Sequence, residues 1–186
     1  MMNRRTVLFG LGGALVLGCA GAAGRLSMGY AVPAGDVPIG LSERELSIVR
    51  AIVEVLCPEE EGLPGGLALG VHQRIDEEVW SMPQALADDV RSAISALELI
   101  PLARYGSRLS RLSPERRVEA FEWMLARAPR VVGQAANALK QMCGLFWYAR
   151  DETWAAIGYD GPWVKTPRPP PSSVAYAALL AERRGA

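Results

Sequence analysis

The sequence predicts an all-α protein: a single compact bundle of about five helices behind an N-terminal signal segment. Three observations carry this. After residue 40, apolar residues recur at three- and four-residue spacing, the period of a helix with one buried face. Helix-start and helix-stop residues punctuate those stretches where they are needed. No window combines strict alternation with β-branched enrichment, so no strand is expected.

The first element is a targeting segment. Asn3-Arg4-Arg5-Thr6-Val7-Leu8 leads into a Gly- and Ala-rich apolar run that reaches Ala23. A paired arginine before a short apolar run reads as a twin-arginine export signal. Arg4 and Arg5 would then be read by the twin-arginine translocase, which moves proteins already folded. Val7 to Ala23 falls short of the ~20 apolar residues of a stable membrane span. Two fates of the signal remain open. Val32-Pro33-Ala34 before Gly35 has the small residues of a cleavage site. Val16-Leu17-Gly18-Cys19 has the form of a lipidation site, where each buried acyl CH₂ would add ~0.8 kcal/mol of membrane affinity. Otherwise Cys19 is a small apolar residue in a discarded signal. Gly10-x-Gly12 is not a dinucleotide loop, because Leu15 stands where a third glycine would be needed. Residues 1–34 are therefore assigned to signal and linker. The expected location is the periplasm or the outer face of the cytoplasmic membrane, with membrane contact only through the signal or a lipid.

Residues 35–164 carry the helices. Ser42-Glu43-Arg44-Glu45 forms a capping box, followed by Leu46, Val49, Ile52, Val53 and Leu56 on one face. Pro58 stops this helix near Cys57. Glu59 to Gly70 reads as a loop. Val71, Ile75 and Val79 mark a second helix ending before Pro83, and Leu86, Val90, Ile94 and Leu97 a third ending near Pro101. Ser113-Pro114-Glu115 combines an N-cap serine, proline at the first helical position and an acid in the first turn. Val118, Phe121 and Leu125 form the inner face there. Pro129 opens a fifth helix with Val132, Ala135, Leu139, Met142 and Phe146 on one stripe.

Residues 165–186 form a proline-rich spacer and C-terminal helix. Pro167-Arg168-Pro169-Pro170-Pro171 is stiff and extended. Ser172-Ser173 then caps a short helix with Val174, Leu179 and Leu180. Two readings stand: a helix held off the body to reach a partner, or a frayed tail.

Composition narrows function by exclusion. About 150 residues remain without the signal, enough for one real core. Twenty basic residues balance twenty acidic ones, and no basic stripe is interleaved with aromatics, which argues against nucleic acid. Cys57 and Cys143 show no Cys-x-x-Cys spacing, so neither zinc nor an iron–sulfur cluster is expected. In an oxidising compartment they are a candidate disulfide; the alternative is two buried thiols. His72, the one histidine, has no nucleophile in a recognisable frame and reads as a surface or capping residue. Glu59-Glu60-Glu61, Asp76-Glu77-Glu78 and Asp88-Asp89 read as solvated charge. No catalytic, cofactor-binding or metal-binding residue is assigned, and the chain is not expected to be an enzyme.

The aromatics are the remaining signal. Trp123, Trp147, Trp154 and Trp163 crowd the C-terminal half, and Met142 to Tyr148 is apolar around the whole helix. Phe146, Trp147, Tyr148, Trp154, Tyr159 and Trp163 are thus a candidate partner interface, since Trp and Tyr dominate interface hot spots. The alternative is a central helix wrapped by its own neighbours.

The run from Phe146-Trp147-Tyr148 through Trp154 to Ile157-Gly158-Tyr159-Asp160-Gly161-Pro162-Trp163 resembles the C-terminal signature of the gluconate 2-dehydrogenase subunit 3 family. Leu41-Ser42-Glu43-Arg44-Glu45, Pro64-Gly65-Gly66 and Leu112-Ser113-Pro114-Glu115 resemble its other segments, so the likeness covers most of residues 41–164. The resemblance implies an accessory small subunit of a large flavin-dependent dehydrogenase acting on a sugar, a sugar acid or an alcohol. The large partner would hold FAD and be carried across the membrane on this chain's signal. A cytochrome subunit would complete the electron path. No cofactor is expected in this chain. The rival reading, from the residues alone, is a stand-alone exported helical lipoprotein anchored at Cys19, with a scaffold or binding role in the envelope.

Overall fold

The computed structural model describes residues 29–162 and 168–185. The chain divides into two units, residues 1–30 and 31–186, and the helices described all belong to the second. Arg4, Arg5, Cys19 and Trp163 lie outside the described residues. The helices are α1 (Glu43–Leu56), α2 (Val71–Ser81), α3 (Gln84–Leu99), the short α4 (Leu102–Tyr105), α5 (Pro114–Ala126), α6 (Arg130–Tyr148), the short α7 (Asp151–Trp154) and α8 (Pro171–Gly185). Two 3₁₀ turns, Leu109–Arg111 and Ala155–Ile157, complete the set. Among the described residues there is no strand.

Helix α1 is the axis of the bundle. Its capping box is formed as the sequence predicts: the Ser42 hydroxyl accepts from the Glu45 amide, and the Glu45 carboxylate accepts from the Ser42 amide at 2.8 Å. Leu46, Ile48, Val49, Ile52 and Val53 are sealed from solvent, and α1 packs against α2, α3, α5 and α6. Each such aliphatic side chain contributes ~1.5–3 kcal/mol by leaving water. After Cys57 the chain returns close to α1. A side chain at Gly66 would stand 2.5 Å from the Cys57 Cβ and 2.9 Å from Val53 Cγ1, so only glycine lets the loop approach there.

Two helices present a different face from the one predicted. In α5 the buried residues are Arg117, Ala120, Phe121 and Met124, while Val118 is exposed. Arg117 turns inward because its guanidinium has two acceptors there, the Glu54 carboxylate and the Leu112 carbonyl at 3.1 Å. In α3 Leu86 is exposed, and Ala87, Ile94, Leu97 and Glu98 face inward. Glu98 accepts from the Ser110 amide at 2.9 Å and the Ser110 hydroxyl at 2.6 Å, with Arg108 Nε 3.4 Å away. This buried carboxylate fixes the 3₁₀ turn that precedes α5.

The C-terminal helix neither stands off the body nor frays. α8 starts at Pro171, lies against α2 and buries Tyr176. Val174 and Leu179 on this helix are exposed.

Candidate functional site

The end of α6 is built to leave an aromatic groove open. Pro129 precedes the first turn of this 19-residue helix, and the helix stops after Tyr148. Thr153, fully buried, donates its hydroxyl to the Arg150 carbonyl at 2.7 Å and reaches the Trp147 carbonyl at 3.3 Å, tying α7 back onto the end of α6. Gly158 then adopts φ 67°, a left-handed turn that favours glycine and reverses the chain. The Trp154 indole donates to the Tyr148 carbonyl at 3.0 Å. Tyr159 meets the Trp154 ring edge-on, with centroids 5.4 Å apart. The result is a groove of about 500 Å³ lined by Gly144, Leu145, Tyr148, Trp154, Tyr159 and Pro162. Leu145, in the last turn of α6, is 66% exposed and joins the exposed Tyr148 and Tyr159 in one apolar patch.

The structure divides the predicted aromatic set. Tyr148, Trp154 and Tyr159 come together around the groove. Phe146 and Trp147 are buried, the Trp147 ring lying against that of Tyr148 with centroids 5.2 Å apart. The Trp147 indole donates to the Pro64 carbonyl at 2.8 Å, and the Arg74 guanidinium lies 5.0 Å from the centre of the Phe146 ring. Both therefore pack against this chain's own segments, on a helix that contacts α2, α3 and α5. Leu145, the most exposed member of the groove, is a residue the sequence reading passed over; its place opposite Trp147 on a fully apolar helix was the available signal.

Polar groups read as solvated charge are in fact interior. Asp76 is 1% exposed and accepts from the amides of Ile39, Gly40 and Leu41 at 2.9, 3.0 and 2.7 Å, and from the Tyr176 hydroxyl at 2.7 Å. His72 is buried as well, not a surface residue. Its Nε2 lies 3.1 Å from Asp36 Oδ2, the oxygen that also pairs with Arg50, while Gln73 donates to the other Asp36 oxygen at 3.0 Å. Burial holds the His72 imidazole below its ordinary range, against the opposing hydrogen bond that it donates to Asp36. This cluster pins the segment before α1 and offers no nucleophile. Cys57 and Cys143 are buried next to one another, each carrying a free thiol. A hydrogen bond with Cys57, followed by burial, pushes the Cys143 thiol up. Among the described residues, no group of three His, Cys, Asp or Glu side chains can hold a metal ion, and no helix is long and apolar enough to cross a membrane.

A family model described as gluconate 2-dehydrogenase subunit 3 matches residues 43–161. The chain belongs to the gluconate 2-dehydrogenase subunit 3 family. No curated protein and no solved structure matches it significantly. The subunit 3 match runs from the first turn of α1 through Gly161, so it contains helices α1 to α7 and all of the groove but Pro162. The segment before α1, the export signal read at Arg4-Arg5 and helix α8 fall outside it.

Proposed function

We propose that this chain is the non-catalytic accessory small subunit of a gluconate 2-dehydrogenase-type complex. It stabilises a large FAD-dependent dehydrogenase and carries it across the cytoplasmic membrane by the twin-arginine pathway, to work in the periplasm. The observation that carries the reading is the exposed aromatic groove inside the family-matched region. A subunit must offer its partner an apolar surface, and four exposed large hydrophobic residues, Leu145, Tyr148, Ile157 and Tyr159, gather at this one end of α6. Aromatic, well-packed anchors of this kind carry most of the energy of a typical interface. The paired Arg4-Arg5 supports the export half. An FAD enzyme must load its cofactor where FAD is made, and a translocase that accepts folded cargo lets a single signal serve both subunits.

The test is co-expression with a large FAD-dependent dehydrogenase subunit from the same organism. Leu145→Asp and Tyr159→Asp should abolish co-purification while the isolated chain keeps its helical circular dichroism. Arg4 and Arg5 changed together to lysine should leave both proteins in the cytoplasm. A dehydrogenase that still co-purifies with both groove variants, or is exported without the arginine pair, overturns the corresponding half of the proposal.

A further inference from the structure

The segment that leads out of residues 1–34 into the bundle is gripped by the opposite end of the chain. Residues 35–41 lie between α2 and α8. From below, Asp76 on α2 accepts the three successive amides of Ile39, Gly40 and Leu41. The approach is so close that a Cβ at Gly40 would stand 2.4 Å from the Asp76 carbonyl and 2.6 Å from the Trp80 amide. From above, α8 supplies Tyr176, whose hydroxyl donates to the same Asp76 carboxylate at 2.7 Å and whose ring meets Trp80 with centroids 6.0 Å apart. Arg183 donates to the Pro38 carbonyl at 2.8 Å and Arg184 to the Gly35 carbonyl at 2.9 Å. These contacts join residues 100 to 149 positions apart.

We propose that α8 is a latch: it locks residues 35–41, which lead into the bundle, only after α8 itself, 100 and more residues further along, has been made and folded. The other clamps on this segment come from Arg50, His72, Gln73 and Asp76, together with Arg91 on α3, whose guanidinium donates to the Gly40 carbonyl; all are in place once α1, α2 and α3 exist. Tyr176 of α8 completes the cover over the Asp76 carboxylate, which is 1% exposed. A hydrogen bond to a carboxylate is stronger in a dry setting than in a wet one, where water competes for the same oxygens. Without α8 the Asp76 bonds become solvent-facing, the carbonyls of Gly35 and Pro38 lose their arginines, and the segment opens. Asp76 lies inside the family-matched range, whereas the segment it holds and the helix that covers it lie outside. The use of the latch in export rests on the twin-arginine reading of Arg4 and Arg5: a signal read on folded cargo gains from a device that couples the segment behind it to the docking of α8.

Hydrogen exchange on the full chain tests the latch. Tyr176→Phe removes one hydroxyl and keeps the ring; Arg183→Ala with Arg184→Ala removes two surface side chains. In each, the amides of Ile39, Gly40 and Leu41 should exchange roughly tenfold faster, equivalent to about 1.4 kcal/mol of opening free energy. The amides of α1 and α6 should be unchanged. Unaltered exchange at residues 39–41 in both variants overturns the latch. Exchange that rises equally in α1 and α6 also overturns it, since α8 would then be ordinary bundle structure. Export is scored separately, with Tyr176→Phe expected to slow translocation. If the chain with Arg4 and Arg5 changed to lysine is exported normally, the twin-arginine reading falls, and the exchange result still decides the latch. If exchange rises at residues 39–41 and Tyr176→Phe is exported at the normal rate, the coupling to export is overturned and the latch stands.

Discussion

Trp147 shows how much a single position can mislead. It lies in a heptapeptide that is apolar around the whole helix, and its sequence fits an interface hot spot as well as a core. The fold decides: the indole is 5% exposed and donates to Pro64, so it belongs to the interior. Trp147→Ala should therefore cost about 3–5 kcal/mol in urea unfolding, where a surface tryptophan would cost little. His72 carries a pH dependence that the sequence could not reveal, because nothing local marks it as buried. Its imidazole is held below the ordinary value of about 6.5 chiefly by burial, among Asp36, Arg50, Gln73 and Asp76. The unfolded chain takes up the His72 proton first as pH falls. Stability is thus complete above about pH 6.5 and is lost as pH drops through that value toward the lower folded one. Denaturant midpoints measured between pH 7.5 and 5.5 should fall, and His72→Gln should flatten that limb; an equal fall in the variant would assign it to other groups.

Helix positions were legible from the sequence because caps and prolines act locally. Ser42, Ser113 and Pro129 open helices where predicted, and the capping box forms with both of its bonds. Helix faces were less legible, because which stripe turns inward depends on partners far along the chain. Arg117 reaches Glu54 across 63 residues, and hydropathy alone assigns that inward place to Val118. Glu98 is the same case in α3. It is fully buried, facing Ser110 and Arg108 from a helix whose periodicity pointed to leucines. Removing one member of such a buried cluster strands the other, so Glu98→Ala should lower stability by about 3–5 kcal/mol. Thermal unfolding would show it, and Leu86→Ala on the same helix, at an exposed position, serves as the near-neutral comparison. The groove was half legible: Tyr148, Trp154 and Tyr159 stand in its sequence signature, but the exposure of Leu145 follows only from the way α7 folds back on Thr153.

At the scale of the molecule, the all-α class was readable from periodicity, and the family from the residues after Phe146. What could not be read was the arrangement of the two ends. The proline-rich run reads as a rod because proline stiffens a chain, yet stiffness says nothing of direction, and α8 is directed back onto α2. Tyr176, the residue that docks it, sits among alanines with no periodic signal of its own. A carboxylate that binds three backbone amides and a phenol is likewise invisible one residue at a time, since Asp76 stands between Ile75 and two glutamates like any surface acid.

The thiol pair at the centre of the bundle is, in effect, a postmark. Cys57 and Cys143 touch only in the finished fold, and that fold closes over them. A chain that folds in a reducing cytoplasm seals them as thiols before any oxidant is met. A chain threaded unfolded into an oxidising envelope would expose both to thiol oxidants, which take up the two electrons as two protons are lost and the S–S bond forms. Denaturing mature protein taken from the envelope and alkylating it at once should label both cysteines if the chain crossed folded. A mass two hydrogens lighter with neither labelled would mean that folding happened on the far side. The state of two atoms that never reach solvent thus stays as a record of where the protein first acquired its shape.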